Sequence, residues 1–178
     1  MSITNVNANE LRNAIRNVPD FPKPGIQFKD ITPILANPTL FAQSIDALTH
    51  DIEPGSIDAV VGIDARGFIF AAAAALKLNA GFVPVRKKDK LPWKTYEESY
   101  SLEYGTNTVA IHQDALKPGS RVLLLDDLLA TGGTAAAAAS LVQKAGGSII
   151  RASFLVELSF LNGRDRLKNL PVTAIITY

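Results

Sequence analysis

Four short stretches of this chain, positions 57–63, 82–85, 121–125 and 149–158, are rich in branched apolar residues and show no polar alternation. Predominantly apolar runs of that length are the mark of strands buried on both faces of a parallel sheet. A fifth run, 172–177, closes the chain. Helical segments fall between them, at 68–78 after the first run, 134–144 after the third and 163–168 before the last. Strand and helix in alternation predict an α/β fold with a doubly wound, mainly parallel five-stranded sheet and flanking helices.

The first third of the chain reads differently. A helix is expected over 9–17, and another is entered through Asn37 and Pro38, since proline suits the first turn of a helix. The passage PDFPKPGIQFKDITP between them is too rich in proline for a helix or strand interior. Residues 87–108 are polar and aromatic and too long for a plain connection, so they are expected to form a lid or loop, with Ser101, Leu102 and Tyr104 in a hairpin. Two alanine runs, at 71–75 and 135–139, each follow a strand, where small side chains let helix and sheet approach closely.

Composition narrows the classes. A chain of 178 residues fits one domain, with residues 1–36 an N-terminal portion and 87–108 the lid. The formal net charge of +1 gives no overall attraction to nucleic acid or to an anionic membrane, so charge-driven binding has to be local. Cysteine is absent, which removes disulfides, thiolate zinc sites and thiol nucleophiles together. The N-terminal residues have no apolar signal core, and the most apolar window, 67–76, is about half the length that spans a bilayer. These features lead to the expectation of a cytoplasmic protein.

The chemistry concentrates in VLLLDDLLATGGT, residues 122–134. Neighbouring carboxylates repel, so Asp126 and Asp127 need a cation or hydroxyl partner. Ligands of open α/β sheets bind beyond the carboxyl ends of the strands, which is where this strand is expected to end. The following residues, Ala130, Thr131, Gly132, Gly133 and Thr134, lead into a helix and offer free backbone N–H groups and two hydroxyls to an anion. The chain has neither G-x-G-x-x-G nor G-x-x-x-x-G-K-[ST]. A phosphate cradle beside two carboxylates instead suggests a sugar phosphate, with its hydroxyls or a hydrated magnesium ion on the acids.

The same stretch resembles the phosphoribosyl diphosphate signature of the type I phosphoribosyltransferases. Together with PDFPKPGIQFKDITP and with SYSLEYG at 99–105, it is similar to the adenine-using branch of that family. The resemblance implies transfer of ribose 5-phosphate from phosphoribosyl diphosphate to N9 of adenine, with AMP and pyrophosphate as products, Mg2+ as cofactor and a homodimer as the working form. It places the 5-phosphate on residues 130–134 and the ribose hydroxyls on Asp126 and Asp127. Arg66, Arg86, Lys90 and Tyr104 fall to the diphosphate, with Arg66 in a loop that has a non-proline cis peptide beside Ala65.

Adenine itself is matched to an N-terminal hood made by the Gln27 carbonyl, the Lys29 N–H and the ring of Phe28, with Leu128 on the opposite face. Glu103, inside the mobile lid, falls to the proton on N9, handled directly or through N7. Magnesium is expected to be held by substrate and water rather than directly by protein side chains. Two rivals remain: a transferase for 6-oxopurines, and a regulator that senses phosphoribosyl diphosphate without catalysis.

Overall fold

A computed structural model describes residues 8–101 and 106–178. The chain divides into two compact units, residues 1–47 and 48–178. In the first, helix α1 (Ala8–Ala14) precedes strand β1 (Arg16–Pro19), which pairs antiparallel with β2 (Gln27–Asp30), Val18 lying opposite Phe28. The passage read as too proline-rich for strand structure thus carries a two-stranded sheet. Its prolines escape the conflict because Pro22 and Pro24 fall in the turn, and Pro19 sits at the very end of β1.

Helix α2 (Thr32–Ala36) follows, with Asp30 accepting both the N–H and the hydroxyl of Thr32 at 2.9 Å. Helix α3 (Pro38–Leu48) starts at the expected proline, and Asn37 accepts from the N–H groups of Thr39 and Leu40.

The second unit runs β3 (Ala59–Ile63), α4 (Arg66–Leu78), β4 (Gly81–Lys87), β5 (Thr95–Ser101), β6 (Thr106–His112), β7 (Arg121–Leu129), α5 (Gly133–Lys144), β8 (Ser148–Glu157) and β9 (Val172–Thr177). The sheet order is β5-β6-β4-β3-β7-β8-β9. Strands β4, β3, β7, β8 and β9 are parallel, as the apolar runs imply. Five strands become seven because the hairpin of β5 and β6 joins the edge of β4, with Arg86 opposite Ala110 and Lys87 opposite Val109. The segment 163–168 forms a 3-10 turn, Gly163–Leu167, rather than an α-helix.

Helices pack closely where the alanines fall. Ala71, Ala74 and Ala75 of α4 and Ala135, Ala137, Ala138 and Ala139 of α5 are buried against the sheet. At Gly62 the approach is so close that a Cβ would stand 2.6 Å from that of Ala71. This tight packing brings the first turns of α4 and α5 to one edge of the sheet.

Candidate active site

Strand β7 does not stop at Leu125. Its pairing with β3 ends at Gly62 and Leu125, yet β8 holds it onward to Leu129. One edge of the segment from Asp126 to Leu129 is therefore left uncovered where β3 gives way to α4. The crevice formed there is lined by Asp64, Ala65 and Arg66, by Asp126, Asp127 and Leu128, by Ala130, Thr131, Gly132, Gly133 and Thr134, and by Tyr100 of the hairpin.

Along a strand, successive side chains point to opposite faces, so the two aspartates meet different surroundings. Asp127 is 5% exposed and pairs with Arg66, whose Nε lies 3.0 Å from its Oδ2. Asp126 is partly exposed, and its Oδ1 accepts the N–H of Asp127 at 2.9 Å. It packs on the first turn of α4 at Gly67, where a Cβ would come 2.6 Å from that oxygen and push the carboxylate aside.

Although part of the residue reaches the surface, loss of water around its carboxyl, and then the charge of Asp127, pushes Asp126 well above the usual carboxylate range. Burial also raises Asp127, against the opposing pull of Arg66.

At the head of α5, Gly132 adopts a left-handed conformation, φ 78°, and the first helical bond runs from the Ala136 N–H to its carbonyl. The N–H groups of Gly133, Thr134 and Ala135 therefore have no partner one turn back, the arrangement that favours an anion. A Cβ on Gly132 would collide with the Gly163 carbonyl, and one on Gly163 with the Ala130 carbonyl. Beside Gly163, Arg164 donates to both oxygens of the buried Glu157 at 2.7 Å each, fixing the turn on which the cradle rests.

The Asp64–Ala65 peptide is cis. Arg86 donates from Nε to Asp64 at 3.3 Å and from Nη1 to the Lys90 carbonyl at 3.1 Å, so it borders the crevice through Asp64. Lys90 is exposed and is absent from the crevice lining. Gln27, Phe28 and Lys29 belong to the first compact unit. There Phe28 meets Phe21 edge-on at 5.1 Å and the Lys29 Nζ donates to Asn17 at 2.6 Å. Glu103 and Tyr104 lie outside the described residues.

Sequence reasoning gave no role to Tyr100, Gly163, Glu157 or Arg164. Each acts through a partner remote in the chain or in a turn without a motif.

Residues 30–169 match the phosphoribosyl transferase domain. The chain belongs to the phosphoribosyl transferase family. The adenine phosphoribosyltransferase of Chloroflexus aurantiacus is 54% identical over 169 residues, covering 95% of this chain and 98% of its own. The crystal structure of the Rhodothermus marinus adenine phosphoribosyltransferase superposes with a TM-score of 0.92 at 53% identity, covering 98% of this chain and all of that one. The Saccharomyces cerevisiae enzyme, solved with adenine and an imino-altritol bisphosphate, is 43% identical with a TM-score of 0.90, over 94% and 97% of the two chains. This phosphoribosyl transferase is accordingly an enzyme, and its fold is that of its solved relatives.

The raised Asp126 carboxyl has a consequence for stability. The folded chain keeps a proton there at pH values where the unfolded chain has lost it, so stability falls as pH climbs from the ordinary carboxylate range through the raised value. Asp126→Asn removes that loss while keeping an oxygen for the Asp127 N–H. Urea unfolding at pH 4 and pH 8 should show the variant more stable than the parent, with the larger gain at pH 8. A gain that shrinks toward pH 8 would contradict the assignment.

Proposed function

We propose that this transferase carries ribose 5-phosphate from phosphoribosyl diphosphate to N9 of adenine, making AMP and pyrophosphate in purine salvage. The observation that carries the reading is one crevice holding an anion cradle at the head of α5 with two carboxylates beside it. Relatives above 50% identity that bear the name adenine phosphoribosyltransferase support the same conclusion.

The residue roles follow from charge. The bond to the diphosphate breaks with positive charge growing on the ribose, so catalysis needs anion clamps at both phosphate ends and negative charge near the sugar. Residues 130–134 hold the 5-phosphate. Asp126 and Asp127 meet the ribose hydroxyls and stabilise the developing cation. Arg66, Arg86 and Lys90 serve the diphosphate, together with Tyr104.

Glu103 takes the N9 proton, and Leu128 lies against one face of the base. In an extended strand the Gln27 carbonyl and the Lys29 N–H share one edge, which suits the amine donor and N1 acceptor of adenine. Phe28 stacks on the ring. The hydrogen-bond pattern of a 6-oxopurine is reversed at those two positions.

Magnesium fits the donor set, because the rim offers hard carboxylate oxygens. Among the described residues no three His, Asp or Glu side chains are grouped to hold an ion. Asp126 and Asp127 would therefore hold it through water and the substrate's own oxygens, and when bound it neutralises diphosphate charge. The working form is a homodimer in the cytoplasm. In support, α4 exposes Ile69 and Leu76, and β4 exposes Phe82, an apolar group that a second copy would cover. No helix among the described residues is long and apolar enough to cross a membrane.

With magnesium and phosphoribosyl diphosphate, purified protein should form AMP from adenine and no nucleotide from hypoxanthine, guanine or xanthine. IMP or GMP would favour the 6-oxopurine reading, and no nucleotide at all a sensing protein. Phe28→Ala should raise the KM for adenine about three- to tenfold, the range of one lost ring contact, and leave that for phosphoribosyl diphosphate unchanged. An unaltered adenine KM would reject the stacking role.

A further inference from the structure

Strand β5 presents Tyr96, Glu98 and Tyr100 on one face, and that face lies along α5. Tyr96 and Tyr100 pack against the buried core. Glu98 accepts from Ser140 at 3.0 Å and from Lys144 at 2.5 Å, and these two donors hold its carboxyl below the usual range. The strand is thereby pinned along the helix, and its last tyrosine arrives at the first turn. There the Thr134 hydroxyl donates to the phenol oxygen of Tyr100 at 2.9 Å.

A phenol has one proton and accepts through its lone pairs. Since the Tyr100 oxygen accepts from Thr134, its own proton is left for a second acceptor. The bond from Thr134 also polarises the phenol and makes that O–H a stronger donor. Tyr100 lines the same crevice as the N–H groups at the head of α5.

We propose that Tyr100 is a further ligand of the sugar 5-phosphate, its phenol O–H adding a side-chain donor to the backbone donors and working as a pair with Thr134. This rests on the reading of the cradle as a sugar-phosphate site. It gives the hairpin a direct share in recognising phosphorylated ligands, because strand β5 and helix α5 then grip one anion together.

Tyr100→Phe keeps the ring in its packing and removes only the hydroxyl. Calorimetric titration with ribose 5-phosphate and with AMP should show affinity about tenfold weaker than the parent, the loss expected for one hydrogen bond to a charged group. The adenine KM and the melting midpoint should stay unchanged. In a Thr134→Val background the same change should cost less, because the polarising donor is gone.

Equal affinity for ribose 5-phosphate in parent and Tyr100→Phe would overturn the proposal. So would a variant that fails to fold, which would make the Thr134 bond a purely structural tie. A parent protein that binds no ribose 5-phosphate would instead sink the sugar-phosphate reading itself, and the proposal with it.

Discussion

The ion pair between Arg66 and Asp127 is the constraint around which the crevice is arranged. Two adjacent carboxylates at the edge of a buried sheet repel each other and resist desolvation, so one of them needs a cation at contact distance. Arg66 supplies it from the first position of α4, and that fixes where the helix must start after β3. Gly67 follows because Asp126 occupies the space a side chain would need. Arg66 offsets only part of the cost of placing Asp126 there, and its raised carboxyl records the remainder. In the proposed reaction the ribosyl cation offsets that remainder.

Two loops of different construction meet at this edge. The head of α5 presents backbone N–H groups to the crevice and owes its shape to the mutual contact of Gly132, Ala130 and Gly163, which the Glu157–Arg164 pair holds. The loop after β3 works through side chains, with Arg66 committed to Asp127 and Asp64 committed to Arg86. A site of this kind is pre-arranged, so little reorganisation is left for the moment of reaction.

Most of the sheet was readable from apolar runs, because strands buried on both faces need a near-continuous supply of branched residues. The head of α5 was readable for a different reason, since paired glycines between hydroxyls have few other uses. The apolar run by itself ends strand β7 at Leu125, yet β8 carries it through Leu129. The pairing that decided this comes from a segment more than twenty residues away in the chain. The hairpin strand β5 looked like a polar lid, since its apolar face consists only of Tyr96 and Tyr100, and what they face is α5. Local pattern reports the period of a strand but not its partner. The contact between Thr134 and Tyr100 therefore had no counterpart in the reading of residues 122–134.

Asp126, protonated and costly in the free protein, is in the proposed reaction deprotonated in the substrate complex, where its charge stabilises positive charge on the reacting sugar. The decisive measurement is the turnover of Asp126→Asn at saturating adenine and phosphoribosyl diphosphate, beside its affinity for ribose 5-phosphate. Turnover should fall at least about a hundredfold below the parent, the scale of one lost preorganised electrostatic group, with ribose 5-phosphate still bound. Turnover close to that of the parent would contradict it.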